Sequence, residues 1–189
     1  MSTTGLKLCT SGVTDSSSPA DWVNPGNITA KDGTYTRAES ESGGGEDSSN
    51  LIATGFDFSA IPEDATLVGI VTTVRLMTGA GSFDVVYDTD LSLIVNGAAE
   101  GDNKADVTAW PASFTDKSYG GIADLWNTTT PLTVLLVQDT VNFGVNLRCY
   151  ITGGGTGNPT YADVDSVEMT IYYTGGAAIA TGKVIIMHT

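Results

Sequence analysis

The only histidine of this 189-residue chain, His188, is the first residue to consider for catalysis. A Ser-His-Asp or Cys-His site needs an imidazole held rigidly beside its nucleophile, and His188 lies on an apolar segment at the C-terminal end of the sequence. Of the two cysteines, Cys9 and Cys149, the second shares a strand face with apolar residues in FGVNLRCYI. That pattern predicts a buried thiol. We expect no nucleophile-base pair, no catalytic residue and no enzymatic activity.

Paired carboxylates are the other common catalytic group, because two of them can hydrolyse a glycosidic bond. The acidic residues of this chain fall at predicted turns or at outward strand positions, and Glu168 alternates with the inward Met169. No pair stands apart by its spacing, so we expect none to act as an acid and base. The other carboxylates that we considered are Asp57, Glu63, Asp64, Asp84, Asp88 and Asp90.

Acidic turns also supply the oxygen ligands that calcium accepts. None of these turns follows the twelve-residue EF-hand order, and one histidine with two separated cysteines does not suit zinc. We therefore predict no metal site and no cofactor, with a structural cation in one of the turns as the alternative. The turns are Asp84, Asp88 and Asp90; Asp102 and Asp106; and Asp163 and Asp165.

Net charge limits the partners of this protein. Eight Lys and Arg residues stand against 22 Asp and Glu residues, which gives a formal net charge of −14. This charge repels phosphate backbones and anionic head groups, so we expect no nucleic acid and no membrane partner. The N-terminal sequence has no signal-peptide pattern, and no apolar run is long enough to span a bilayer, which predicts folding in a cytoplasm.

Aromatic residues offer the best non-catalytic interpretation. Trp110, Tyr119 and Trp126 fall between the strongest strand signals, in the connection 97–131. Aromatic rings on the loops of a β-sandwich can stack on sugars or fill a partner's pocket, so these three are the predicted ligand-facing residues. The alternative is that they cover the open ends of the sandwich as local cores.

Strand-like alternation sets the fold class. In 65–77 the residues Val68, Ile70, Val74 and Leu76 share one face, and a corner at Pro62 precedes this run. Similar patterns recur without a clear helical interlude, which predicts an all-β, antiparallel, jelly-roll-like sandwich. A short helix or an extra strand is open for 122–126. The predicted strands are 51–59, 65–77, 82–96, 132–138, 141–152 and 164–174.

Three regions follow from this pattern. Residues 1–50 are polar and turn-rich and predict an N-terminal arm packed on the domain, in which 5–10 can add an edge strand. Residues 51–174 form the sandwich, and 175–189 form a C-terminal tail strand. The tail is apolar on both faces, which predicts pairing with another chain, with one more buried strand of its own domain as an equal alternative. Its predicted contact residues are Val184, Ile185, Ile186 and Met187.

Five sequence blocks, taken in their order along the chain, resemble a β-sandwich domain of structural proteins of tailed bacteriophages. The resemblance covers roughly residues 20 to 174 and rests on the succession of blocks rather than on any one of them. The blocks are WVNPGNITAKDGTYT (22–36), NLIATGFDFSAIPEDATLVGIVTTVRL (50–76), YGGIADLW (119–126), VNFGVNLR (141–148) and VDSVEMTIYY (164–173).

The resemblance implies a virion component. The single domain and the apolar tail favour a capsid decoration, or cement, protein on the outer capsid surface, assembled in the bacterial host cytoplasm. Its implied partners are the major capsid protein and copies of itself, with a trimer favoured. The alternative is a tail or fibre module that binds a host-surface glycan through Trp110, Tyr119 or Trp126.

Overall fold

Alternating apolar side chains assemble this chain into two antiparallel sheets, as the sequence predicts. The computed structural model describes residues 1–40, 43–79, 85–153 and 159–176. One turn of 3-10 helix, Pro25–Ile28, and one short helix, α1 (Val134–Val137), accompany the strands. Within the described residues the strands are β1 (Ser2–Thr3), β2 (Lys7–Leu8), β3 (Ser11–Thr14), β4 (Thr36–Ser40), β5 (Glu46–Asp47), β6 (Leu51–Thr54), β7 (Thr66–Thr78), β8 (Val86–Val95), β9 (Ala98–Glu100), β10 (Thr115–Gly121), β11 (Gly144–Ile151) and β12 (Thr160–Thr174).

The first sheet, here the β12 sheet, is built around the longest strand. One edge of β12 pairs with β7, which in turn pairs with β10. The other edge of β12 is shared by three short strands from the start of the chain, β4, β2 and β1, in that order along it. Between β4 and β2, Thr29 bridges to Ser166. The N-terminal residues thus complete the sheet.

The second sheet, here the β11 sheet, has the order β3-β6-β11-β8-β9, and β5 also pairs with β11. Its inward side chains face those of the β12 sheet and form one apolar core, which includes Leu51, Leu91, Leu93, Val145, Leu147, Ile70, Val74, Leu76, Val167, Met169 and Ile171. The all-β sandwich fold is therefore confirmed.

Residues 1–50 correct the predicted arm, because they contribute strands to both sheets. Trp22, Ile28 and Ala38 lie in the core, with exposed fractions of 3%, 0% and 0%. The strands here are two to five residues long. So short a strand places at most three side chains inward, and two of the three that β4 buries are the polar Thr36 and Ser40, which explains why the composition looks polar.

Residues 132–138 correct a predicted strand, because they contain the helix α1. The side chain of Thr133 caps the helix by accepting a hydrogen bond from the Leu136 backbone N–H. A continuous apolar run such as VLLV cannot distinguish strand from helix by period alone. Here Val134 and Val137 are the buried residues, at the i, i+3 spacing of a helical face.

The connection 97–131 holds an extra strand, but not at the predicted place. Strand β10 covers Thr115–Gly121, whereas 122–126 is turn and irregular backbone with one bridge between Gly121 and Asp124. The tail residues Val184, Ile185, Ile186 and Met187 lie outside the described residues, as do Asp84 and His188.

Candidate functional site at one end of the sandwich

The three aromatic residues predicted to face a ligand are core residues. Trp110, Tyr119 and Trp126 are 3%, 4% and 0% exposed. This corrects the prediction that they face a ligand, and agrees with the alternative that they pack as part of the core. The physical reason is that each ring has a polar atom that finds its hydrogen-bond partner inside the protein.

Two of these rings bond to one buried carboxylate, Asp88, which is 0% exposed. Trp110 donates from Nε1 to Asp88 Oδ1 over 2.7 Å, and the Tyr119 hydroxyl donates to Oδ2 over 2.9 Å. Lys117 Nζ lies 2.7 Å from Oδ2, and the Asp106 backbone N–H donates to the same oxygen over 3.2 Å. We call Asp88, Trp110, Lys117 and Tyr119 the Asp88 cluster.

The Asp88 cluster joins the two sheets. Asp88 is on β8 of the β11 sheet, whereas Lys117 and Tyr119 are on β10 of the β12 sheet. Burial, and then the neighbouring Asp88 charge, raise the pKa of Tyr119, so its phenol remains a neutral donor. Four donors bind one carboxylate, and two of them come from the other sheet. The cluster therefore acts as a structural cross-link between the sheets.

A β-bulge explains why Asp88 points inward. Arg148 pairs with Asp90 and the next residue, Cys149, pairs with Asp88, so Thr89 is an extra residue on β8. An extra residue reverses which alternate side chains face the core. Leu91 is inward on one side of the bulge and Asp88 is inward on the other.

The third ring, Trp126, fixes the segment that follows β10. Its Nε1 donates to the Ile70 carbonyl over 3.0 Å. Trp126 and Asn127 both have left-handed backbones, with φ of 60° and 52°, a conformation that costs energy for residues other than glycine. The indole anchor therefore holds a strained turn, and this turn directs 127–134 across one end of the sandwich.

That end of the sandwich carries an open groove of about 660 Å³. Its two sides are the start of β7 with the residues just before it, and the segment 125–134. Leu67 and Val134 are buried at its base, and Leu125 and Leu132 are half-buried against the core. The groove is lined by Glu63, Ala65, Thr66, Leu67, Leu125, Asn127, Thr128, Pro131, Leu132, Thr133 and Val134. We call it the end groove.

Apolar side chains are also exposed in α1 and shortly after it. Leu135 on α1 is 81% exposed, and Val141, shortly after the helix, is 73% exposed. A smaller depression of about 230 Å³ is lined by Glu63, Leu135 and Gln138 and so shares Glu63 with the end groove. This end of the molecule therefore combines an apolar groove with uncovered apolar side chains, an arrangement typical of a contact surface.

The described part of the chain ends at this same place. Gly175 and Gly176 follow β12 with φ of 71° and 80°, and a side-chain carbon added at Gly176 would lie 2.6 Å from Pro62 Cβ and 3.5 Å from Ala65 Cβ. The backbone therefore packs closely on the Pro62 corner before residue 177. Since Ala65 lines the end groove, Gly176, the last described residue, lies at the edge of that groove.

Other buried carboxylates are also paired within the chain. Arg37 Nε and Nη2 donate to the two oxygens of Asp163, each over 2.7 Å. Arg75 Nε lies 3.0 Å from Asp165 Oδ2, and Asp165 Oδ1 accepts from the Gly33 backbone N–H over 2.8 Å. These contacts hold the loop before β4 on the outer face of the β12 sheet. No group of three or more His, Cys, Asp or Glu side chains arranged to hold a metal occurs in the described residues.

Both thiols are free and buried. Burial raises the pKa of Cys9 to about 12 and the pKa of Cys149 to about 12, which keeps both as unreactive thiols at neutral pH. This agrees with the predicted filler role of Cys149. Among the described residues, no helix has the length and apolar character needed to cross a membrane.

Sequence reasoning missed the end groove, because its walls come from segments about 60 residues apart. The one signal was that the apolar run 132–138, a predicted strand, does not show the alternation of a strand. Comparison of the chain with protein-family models, with curated proteins and with solved structures gave no match.

Proposed function

We propose that this protein is a non-enzymatic structural protein of a tailed-bacteriophage virion, a capsid decoration or cement protein that binds the outer face of the head. The resemblance of five sequence blocks to phage sandwich domains supports this proposal. So does the burial and internal pairing of Asp88, Asp163 and Asp165, whose carboxylates are committed to holding the fold.

One observation carries the proposal: the described chain ends at Gly176, on the edge of a groove with an exposed apolar side chain on the adjacent helix, and the apolar segment 177–189 follows in the sequence. The sandwich can fold first and then present this end to a neighbour. The predicted contact residues in the segment are Val184, Ile185, Ile186 and Met187.

Stabilisation of the shell then needs no chemical reaction. A protein that binds the assembled shell and not its free subunits stabilises the shell by its binding free energy. Many copies on one particle multiply a modest gain at each site. The major capsid protein is the proposed partner, and the net charge of −14 favours a contact surface that is basic or apolar.

Co-sedimentation with purified phage heads that lack the protein tests the proposal. We expect the full chain to sediment with the heads and to raise the temperature at which they open. We expect the double variant Leu135→Glu and Val141→Glu to bind at least about tenfold more weakly, because each charge would have to be buried in an apolar contact. The matched control is Val107→Glu, which alters an apolar residue that is 80% exposed and does not line the end groove.

Two results would contradict the proposal. One is that the full chain does not bind heads, and the other is that labelled protein is found by electron microscopy only at the tail of the virion. The second result would favour the tail or fibre alternative instead.

A specific observation favours glycan binding, the alternative function, on a surface other than the one predicted from the sequence. Tyr87 and Tyr150 stack on the outer face of the β11 sheet with ring centroids 5.4 Å apart, and both are half-buried. Arg148 and Asp90 pair at the neighbouring outward position. Aromatic rings beside polar groups are a common way to hold a sugar. Binding on a glycan array that is lost in Tyr87→Ala, with heads left unbound, would favour this function.

A further inference from the structure

The end groove has apolar side walls that the described residues cover only in part. Leu125 and Leu132 are only half-buried, and Leu135 is 81% exposed on the adjacent helix. Extended apolar segments fill such grooves because binding removes apolar surface from water. The molecule that fills the end groove must therefore supply an extended apolar segment.

The chain itself supplies one. Segment 177–189 has the sequence AAIATGKVIIMHT, and its most apolar part is 184–187. It contains Lys183 and neither Asp nor Glu, whereas the rest of the chain holds all 22 acidic residues. Glu63 lines the end groove, and Asp64 beside it is also exposed. The segment and the edge of the groove are therefore complementary in charge as well as in apolar character.

The starting point of the segment decides which copy receives it. Gly176 packs against Pro62 and Ala65 at the edge of its own groove. An extended chain advances about 3.3 Å per residue, so the eight residues from 177 to 184 carry Val184 about 26 Å away. A segment that continues straight from Gly176 therefore carries its apolar residues away from the groove edge at Ala65, to where the groove of a second copy can receive them.

We propose that the end groove binds residues 184–187 of a second copy of this chain, so that copies join by exchanging their C-terminal segments. Val184, Ile185, Ile186 and Met187 pack on Leu125, Leu132 and the exposed face of α1, and Lys183 faces Glu63. This inference rests on the proposed role of the C-terminal segment as a contact, and it concerns the association of copies with one another rather than with a capsid.

Two variants separate the groove from the segment that fills it. The first is the chain shortened to end at Gly176, which keeps the groove and loses the segment. The second is Thr66→Arg, at an exposed residue that lines the groove, which keeps the segment and blocks its site. Circular dichroism and thermal unfolding check that both variants fold. Val107→Arg, at a residue that is 80% exposed and outside the groove lining, is the matched control.

Sedimentation velocity over a range of protein concentrations measures association without any phage particle. We expect the full chain and Val107→Arg to associate. The shortened chain alone and Thr66→Arg alone should each associate at least about tenfold more weakly. A mixture of the shortened chain and Thr66→Arg should form a one-to-one pair, because one partner offers a free groove and the other a free segment.

A second measurement uses the segment as a peptide. A fluorescent peptide of residues 177–189 should bind the shortened chain and should bind the shortened chain with Thr66→Arg at least about tenfold more weakly. A peptide with Ile185→Asp and Ile186→Asp should not bind either.

Three results would overturn the inference: a full chain that stays monomeric at all concentrations, variants that associate as well as the full chain, or variants that are monomeric alone and form no mixed pair. A monomeric full chain whose thermal stability falls in Thr66→Arg would show the segment in its own groove. A chain that binds heads but stays monomeric would overturn this inference and leave the capsid proposal standing, and a chain that associates but does not bind heads would do the reverse.

Discussion

The Asp88 cluster and the end groove differ in whether their side chains find partners within the chain. In the cluster, a carboxylate that is 0% exposed meets four donors from its own chain, so its polar groups are satisfied within the fold. At the groove, Leu125 and Leu132 are half-buried and Leu135 on the adjacent helix is 81% exposed, so apolar groups lack a covering partner in the described residues.

This difference separates stability from binding. A buried charge that loses its partners is costly, so residues of the cluster should control the free energy of unfolding. Exposed apolar side chains contribute little to folding because they stay in water, so residues of the groove end should control association. Four measurements test whether the cluster controls stability and the groove end controls association.

The largest effect is expected for Asp88→Ala. This change leaves Lys117, Trp110 and Tyr119 without their shared acceptor inside the protein. We expect the free energy of unfolding in urea to fall by about 3–5 kcal/mol. Asp116→Ala is the control, because Asp116 is a surface ion-pair partner with a side chain that is 41% exposed, and its loss should cost at most about 1 kcal/mol. Equal effects of the two substitutions would contradict a structural role for the cluster.

The next effect is expected for Gly120→Ala, in the strand that carries the cluster. Gly120 has φ of 79°, and an added carbon would lie 2.4 Å from the Ile70 carbonyl oxygen and 2.5 Å from Trp126 Nε1. We expect a loss of about 2–4 kcal/mol from backbone strain together with the displaced indole.

Gly33→Ala separates the two causes of that loss. Gly33 has a similar φ of 84°, but an added carbon there meets nothing within 4 Å. This control should cost about 1–2 kcal/mol, which is the backbone strain alone. If the free energy of unfolding in urea falls equally in both variants, the contact of the added carbon with Trp126 does not contribute to the loss of stability.

A smaller effect is expected at alkaline pH from the buried thiols. Cys9 and Cys149 have folded-state pKa values raised to about 12 by burial, above the value of about 8.5 for an unfolded thiol. The protonated thiol therefore stabilises the fold fully below about pH 8.5, and this stabilisation is lost as the pH rises from about 8.5 towards 12.

Urea unfolding at pH 7 and pH 10 measures this loss. The double variant Cys9→Ala and Cys149→Ala should lose less stability between these two pH values than the natural chain. The raised pKa of Tyr119 adds a further loss above about pH 10 in both proteins. Rapid reaction of either thiol with a thiol reagent in the native protein would contradict the assigned burial.

The smallest effect on stability is expected for Leu135→Glu at the groove end. Leu135 is 81% exposed, so the free energy of unfolding should change by less than about 0.5 kcal/mol. Self-association should nevertheless weaken, as measured by sedimentation velocity, whereas Val107→Glu should change neither property. A large loss of stability in Leu135→Glu would erase the distinction between the two regions.

Much of the fold could be predicted from alternation. The sequence predicted strands over 65–77, 141–152 and 164–174, and the structure has β7 at Thr66–Thr78, β11 at Gly144–Ile151 and β12 at Thr160–Thr174. Long strands with one buried face carry a clear period of two. The run 132–138 has no such period, and it became the helix α1.

Of the strands in 1–50, the sequence predicts only the edge strand in 5–10, where β2 (Lys7–Leu8) lies, because strands of two to five residues are too short to show a period. These strands pair with β12, β11 and β6, whose backbone groups need partners. The end groove was missed for a related reason, since its walls meet only after the sheets have formed.

Alternation in the sequence predicts the fold class, the burial of Cys149 and the inward faces of β11 and β12, because side-chain alternation is a local property of a strand. The burial of Trp110, Tyr119 and Asp88 depends instead on contacts between distant segments. One extra residue, Thr89, turns the Asp88 carboxylate inward, where the two aromatic residues reach it from a neighbouring loop and strand. Such a reversal depends on pairing with β11, which lies more than fifty residues away in the chain.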